Sequence, residues 1–160
     1  MKLDTKISAA LFAFTTGTIL FVAIVATGAM AWGAPPALRL PFRLLCHGIE
    51  SRCLELFGGV MPICARCSGI YAGALAGIAG FIATRRLRLP PMPWLLLLLL
   101  VLPLAVDGVT QAIGLRGSGN ALRLATGVLA GGAFFFWALD RIETSSARRE
   151  SSKALQRVVN

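Results

Sequence analysis

Charge is scarce in this chain. Only 14% of its 160 residues are Asp, Glu, Lys or Arg, against roughly a quarter in an ordinary soluble domain. With 56% of the residues apolar and a mean hydropathy of +0.75, a single domain of this length cannot hide its apolar surface in a water-soluble core. That excludes a soluble globular protein and a disordered chain. Negative charge is scarcer still, with 7 acidic residues against 16 basic ones and a net charge of +9. In a soluble protein such an excess would point to nucleic acid. In an apolar chain it reports membrane topology instead, and no nucleic-acid partner is expected. The sequence also lacks an internal repeat and a matched pair of broken helices, which leaves a transporter without support. Nothing in it resembles a thioredoxin domain, and no quinone site is evident. Arg outnumbers Lys 13 to 3 amid abundant Ala, Gly and Leu, a composition that suggests a GC-rich bacterial source and hence a bacterial plasma (inner) membrane.

A helix that crosses a bilayer needs about 20 mostly apolar residues. Four stretches qualify, at about 7–31, 62–84, 90–113 and 122–140. The expected fold is all-α: a polytopic four-transmembrane-helix bundle with a short interfacial segment between the first two helices. Residues 1–143 form one transmembrane domain, and 144–160 form a basic cytoplasmic tail. Lys2, Lys6 and the Ala29-Met30-Ala31 triplet give the first stretch some likeness to a signal peptide. Its apolar run far exceeds a signal core of about 7–15 residues, so an uncleaved helix is expected. With both termini inside, ten of the sixteen basic residues fall on inner segments and six on outer ones, the usual positive-inside bias. The six outer residues are all arginine (Arg39, Arg43, Arg52, Arg66, Arg116 and Arg123). Gly69, Gly73 and Gly77 recur every four residues, as do Gly127 and Gly131. Such rows mark faces where two helix backbones meet closely. Pro103 interrupts the third span and is expected to kink it.

The outer ends of the spans carry the chemistry. Cys46-His47 lies in the first outer segment, Cys53 follows, and Cys64-Ala65-Arg66-Cys67 opens the second span behind Pro62. Thiols three apart share one face of a first helical turn. The positive end of the helix and Arg66 both lower their pKa, which makes them better ligands and nucleophiles. Residues 38–57 mix Leu, Ile and Phe with Arg and Glu, a pattern for short amphipathic helices lying in the interface. The third span ends in Asp107-Gly108-Val109-Thr110-Gln111. A carboxylate within a membrane span is costly and ordinarily has a partner or a task. Arg116, Ser118, Asn120 and Arg123 follow in the next loop and helix start. In the N-in topology these sequence-distant groups converge at one depth.

Cys46-His47, Arg52, the run Pro62-Ile63-Cys64-Ala65-Arg66-Cys67-Ser68-Gly69-Ile70-Tyr71 and the Asp107–Gln111 motif, with Arg116, Ser118, Asn120, Arg123, Thr126 and Gly127, together resemble a prokaryotic membrane-protein family known as domain of unknown function 2085. The resemblance covers roughly residues 41–135. It implies an integral membrane protein with three cysteines and a histidine in common, and Cys53 falls where that pattern more usually has Ser. It brings no activity with it.

Four readings of these residues are open. Cys46, His47, Cys64 and Cys67 form a Cys₃His set suited to tetrahedral Zn²⁺, or as soft thiolates to another thiophilic metal. The same thiols could run thiol–disulfide exchange on the oxidising face of a membrane. Arg52, Arg66, Asp107, Gln111, Arg116, Asn120 and Arg123 could wall a pocket for an anionic lipid or solute, since arginine forks suit phosphate and carboxylate. His47 or Asp107 would then be the general base, unless Asp107 is spent in an ion pair with Arg116 or Arg123. Finally, a disulfide from Cys46 to Cys64 or Cys67 could simply staple the outer segment to the bundle. The lipid bilayer is the certain partner on this reading, and a homo-oligomer is compatible with it.

Overall fold

A computed structural model describes residues 3–86, 90–115 and 117–159. Lys2, Arg88 and Arg116 therefore lie outside the described residues. Helix α1 spans Leu3–Ala31. A 3-10 helix follows at Pro36–Leu44 and a short 3-10 turn at Glu50–Arg52. Strands β1 (Cys53–Leu56) and β2 (Gly59–Cys64) lead into α2 (Ala65–Arg86). Helices α3 (Trp94–Ala112) and α4 (Asn120–Val159) complete the order. Four of these helices are long and apolar enough to cross a membrane: Asp4–Ala31, Ala65–Arg85, Trp94–Ala112 and Asn120–Arg149. Inside them, several hydroxyls close on their own helix. Thr16 and Thr27 donate to the carbonyls of Phe12 and Ala23 at 2.6 and 2.7 Å, so neither is left unpaired in an apolar setting.

The interfacial segment differs from the amphipathic helices expected of residues 38–57. Its first part is a 3-10 helix, a single 3-10 turn follows at Glu50–Arg52, and the rest enters an antiparallel hairpin pairing Cys53 with Cys64, Glu55 with Val60 and Leu56 with Gly59. The turn residues Phe57 and Gly58 both have positive φ, 55° and 78°, the backbone of a two-residue turn whose twist matches its strands. The hairpin moves the start of the second span from 62 to Ala65. Pro62 thus sits in a strand rather than before a helix. It is tolerated because β2 has only β1 beside it, and an edge strand need not donate from every position.

The bundle is organised around α2 and α4, which run in the same direction. A Cβ on Gly69, Gly73 or Gly77 would come under 3.0 Å from the backbone of Leu124, Val128 and Gly132 respectively, and one on Gly127 or Gly131 under 3.0 Å from Arg66 or Ile70. The two glycine rows therefore face each other, as the four-residue spacing implied. Packing without side chains lets the backbones themselves touch, through dispersion and weak Cα–H···O contacts. Two apolar clusters flank this seam. Toward the hairpin, Ala23 and Ala26 of α1 pack with Phe42, Cys46, Met61 and Ile63. Toward the other end, Ala9, Ile78, Phe81 and Leu139 are packed by Phe12, Phe135 and Phe136, with edge-to-face ring pairs at 5.3 and 5.8 Å. Near that end Arg85 bridges to Asp140 and Glu143. Helix α3 contacts mainly α4 and turns most of its leucines outward. An apolar cleft of about 660 Å³ opens between α2, α3 and α4.

Candidate metal centre and arginine pocket

Three segments bring sulfur to one point. The end of the 3-10 helix delivers Cys46, whose backbone N–H is held by the carbonyl of Phe42 at 2.9 Å. Gly48 then takes φ 59°, where a side chain is strained and where a Cβ would press on the Pro62 carbonyl at 3.4 Å. That bend lays the segment back along β2. Strand β2 ends at Cys64, and the first turn of α2 supplies Cys67. The ligand atoms of Cys46, Cys64 and Cys67 all lie within 4.8 Å of one another, and no disulfide joins them.

Backbone N–H groups point at these sulfurs. Cys64 N donates to Cys46 Sγ at 3.2 Å and Cys67 N to Cys64 Sγ at 3.5 Å. The second comes from one of the donors left unpaired at the start of α2, so the helix end itself supplies a hydrogen bond to the sulfur. Cys46 is held well below the usual thiol range, chiefly by hydrogen bonds from the Cys64 and Cys67 side chains. Cys53 behaves oppositely. Although it pairs with Cys64 across the hairpin, its sulfur donates to the Ile49 carbonyl at 3.2 Å, and burial pushes its thiol up to about 11, with the nearby Cys46 charge adding to the effect. It is not one of the three clustered thiols.

His47, placed by sequence in the ligand set, does not join that cluster. Cys46 is buried while His47 beside it is exposed. His47 instead lines the rim of a pocket of about 320 Å³ that has all three clustered cysteines in its wall. Arg52, Arg66, Gln111 and Arg123 line the same pocket. Arg66 is central: its guanidinium pairs with Asp107, spanning α2 and α3 across Gly108. The expected pairing of Asp107 with Arg123 is therefore not the one observed. Arg123 instead donates to Gln111 Oε1 at 3.2 and 3.3 Å and to Asn120 Oδ1 at 2.9 Å. Gln111 donates in turn to Ser118, and Asn120 reaches the Cys53 carbonyl at 2.9 Å. The end of α3, the starts of α2 and α4 and the hairpin are thus joined at one end of the bundle. Asp107, buried against Arg66, is a fixed ion-pair partner rather than a group facing the pocket.

Three soft ligands, two of them accepting N–H···S bonds, suit a thiophilic ion. Zn²⁺ binds thiolate at about 2.3 Å, so sulfurs sharing one ion sit roughly 3.7 Å apart, within reach of this cluster by small rotations. Three protein ligands would leave one coordination position for another group, and the three cysteines share the wall of a pocket with Arg52, Arg66 and Arg123.

The sequence profile of a family described as predicted membrane proteins, DUF2085, matches residues 46–137. An uncharacterized protein of Methanocaldococcus jannaschii is 43% identical over 100 residues, covering 61% of this chain and 64% of that protein. An uncharacterized protein of Methanothermobacter thermautotrophicus is 41% identical over 91 residues, covering 56% of this chain and 80% of that one. The match thus spans less than two thirds of the former relative's length. Both are archaeal, so they lend nothing to the bacterial source suggested by composition. No solved structure matches the chain. The profile match begins at Cys46 and takes in all three clustered thiols, α2, α3 and the apolar part of α4; it covers more than half the sequence, and the chain belongs to the DUF2085 family of membrane proteins.

Proposed function

We propose that this membrane protein holds a thiophilic metal ion, Zn²⁺ by preference, on Cys46, Cys64 and Cys67, at the wall of an arginine-lined pocket that receives an anion. The observation that carries the reading is the meeting of three sulfurs within 4.8 Å, with two backbone N–H groups already directed at them. N–H···S bonds of this kind fix ligand orientation and are part of what makes a thiolate site selective. His47 at the rim is the pocket's imidazole, suited to proton transfer or to closing the fourth position when an extended loop turns it inward. The centre faces the outer side of the plasma membrane, with both termini in the cytoplasm, as the distribution of basic residues favours.

Metal analysis of the purified full chain by plasma mass spectrometry tests this. About one zinc per chain is expected, lost in Cys64→Ala/Cys67→Ala. Wild-type protein purified without chelator and lacking any stoichiometric metal would refute it. The same three thiols support one alternative, a membrane thiol–disulfide oxidoreductase. For that reading, alkylation mass shifts in cells must show Cys46, Cys64 and Cys67 cycling between thiol and disulfide. An impermeant maleimide that reaches chelator-treated Cys64 and Cys67 only from the inner face would overturn the orientation.

A further inference from the structure

The charges around the pocket do not balance with protein groups alone. Of its three arginines, Arg66 is neutralised by Asp107. Arg123 is only 9% exposed and donates to the neutral oxygens of Gln111 and Asn120. Among the described residues neither it nor Arg52 has a carboxylate partner. A buried guanidinium without a counter-charge is costly. One Zn²⁺ on three thiolates carries −1, which answers one of the two arginines. With the buried Arg123 answered in this way, the charge of the exposed Arg52 remains in the lining of a concave site of about 320 Å³.

The surroundings of the mouth say where its ligand comes from. Leu45 and Ile49 line the pocket, yet both are exposed, and Trp32, Leu40, Leu44 and Leu115 around the same end of the bundle are more exposed still. Such a ring of apolar side chains belongs in the headgroup and upper acyl layer, not in bulk water. The pocket therefore opens at the depth where lipid phosphates lie.

We infer that the pocket takes the phosphodiester of a net-anionic membrane lipid, held by Arg52 and Arg123 beside the metal centre. A phosphodiester supplies the single negative charge that the site lacks, and an arginine fork meets its two free oxygens in a bidentate way. A headgroup bearing an ammonium group would bring a positive charge against Arg52 and is disfavoured. This rests on the metal reading for its charge count but not for its arginines.

Native mass spectrometry of the full chain in a non-ionic detergent tests the inference, with metal content measured on the same sample. The probes are dioleoylphosphatidylglycerol, dioleoylphosphatidylcholine and, in a separate arm, glycerol 1-phosphate. One phosphatidylglycerol per chain is expected at a concentration about tenfold below that needed for phosphatidylcholine, a free-energy gap of about 1.4 kcal/mol. Arg123→Gln weakens this binding about tenfold or more, since each removes a charged hydrogen-bonding group. Arg52→Gln, on an exposed residue that holds no element in place, weakens it severalfold with the zinc stoichiometry unchanged. Arg148→Gln/Arg149→Gln in the tail leaves binding as in wild type. Equal retention of the two lipids overturns the inference, and so does wild-type retention in both pocket variants. Displacement of the lipid by glycerol 1-phosphate also overturns it, in favour of a soluble anion. Zinc-loaded protein that binds no lipid refutes this inference alone. Metal-free wild type that still selects phosphatidylglycerol through Arg52 and Arg123 refutes only the metal reading.

Discussion

Replacing Gly73 by alanine separates two physical effects that act in opposite directions. Within a helix, alanine is favoured over glycine by about 0.5–1 kcal/mol because it restricts the unfolded chain. At Gly80 that gain should be realised, since a Cβ there meets only Phe136 Cδ2 at 3.9 Å. At Gly73 the new methyl would lie 2.8 Å from Val128 Cα and 2.9 Å from Gly132 N. Both are backbone atoms of α4 and cannot rotate away. The Val128 carbonyl oxygen lies closer still, so to restore ordinary contact the helices must part by about an ångström, an overpacking cost of about 1–3 kcal/mol or more. Parting also weakens the Cα–H···O contacts along the row, at about 0.5–1 kcal/mol each. Gly73→Ala should therefore be less stable than Gly80→Ala by about 2–4 kcal/mol, with the two variants falling on opposite sides of wild type. Reversible unfolding in mixed micelles of rising SDS fraction, followed by tryptophan fluorescence, measures the difference. Equal midpoints for the two variants would refute the backbone-contact account of the α2–α4 seam.

Asp107→Asn leaves Arg66 without a carboxylate among the described residues, whereas Asp140→Asn leaves Arg85 still paired with Glu143 at 2.7 Å. The first should cost about 3–5 kcal/mol in the same unfolding assay and the second clearly less; equal losses would argue against the pairing. Cys53, buried and with its thiol pushed up to about 11, is protonated at neutral pH. It should resist maleimide at pH 8 and become reactive only as pH rises toward the raised value. Cys53→Ala should retain the metal stoichiometry. Glu50→Gln removes the pair with Arg39, in which Glu50 is 69% exposed. It should change the unfolding midpoint by no more than about 1 kcal/mol.

Features with a period or a length were readable from the sequence. Apolar runs located the four spans, and the four-residue glycine spacing identified the seam before its partner faces were known. The CxxC and the upstream Cys46 were recognisable as one constellation, because a helix start and a flanking segment must meet somewhere. The hairpin was not readable in the same way. Cys53–Leu56 and Gly59–Cys64 are short and half-buried, and Pro62 signals a helix start as readily as an edge strand. The Phe57-Gly58-Gly59 stretch was the available turn signal. The partner of Asp107 depends on the azimuth of α2 relative to α3, which sequence spacing within one helix does not encode. Arg66 and Arg123 are equally plausible by depth, and packing at Gly108 brings Arg66 to the carboxylate. The inclusion of His47 rested on its place beside Cys46. It is exposed beside that buried cysteine and outside the cluster.

The hairpin bears on the order of events during synthesis. All three clustered thiols fall within residues 46–67, and they need only the hairpin and the first turn of α2 to meet. The metal proposed above would find its three ligands there before α3 and α4 are in place. Arg123 and Gln111, by contrast, arrive only with the later helices. A nascent chain thus gains its sulfur centre first. The last helix then docks along the glycine row of α2, bringing a guanidinium to a wall that already exists.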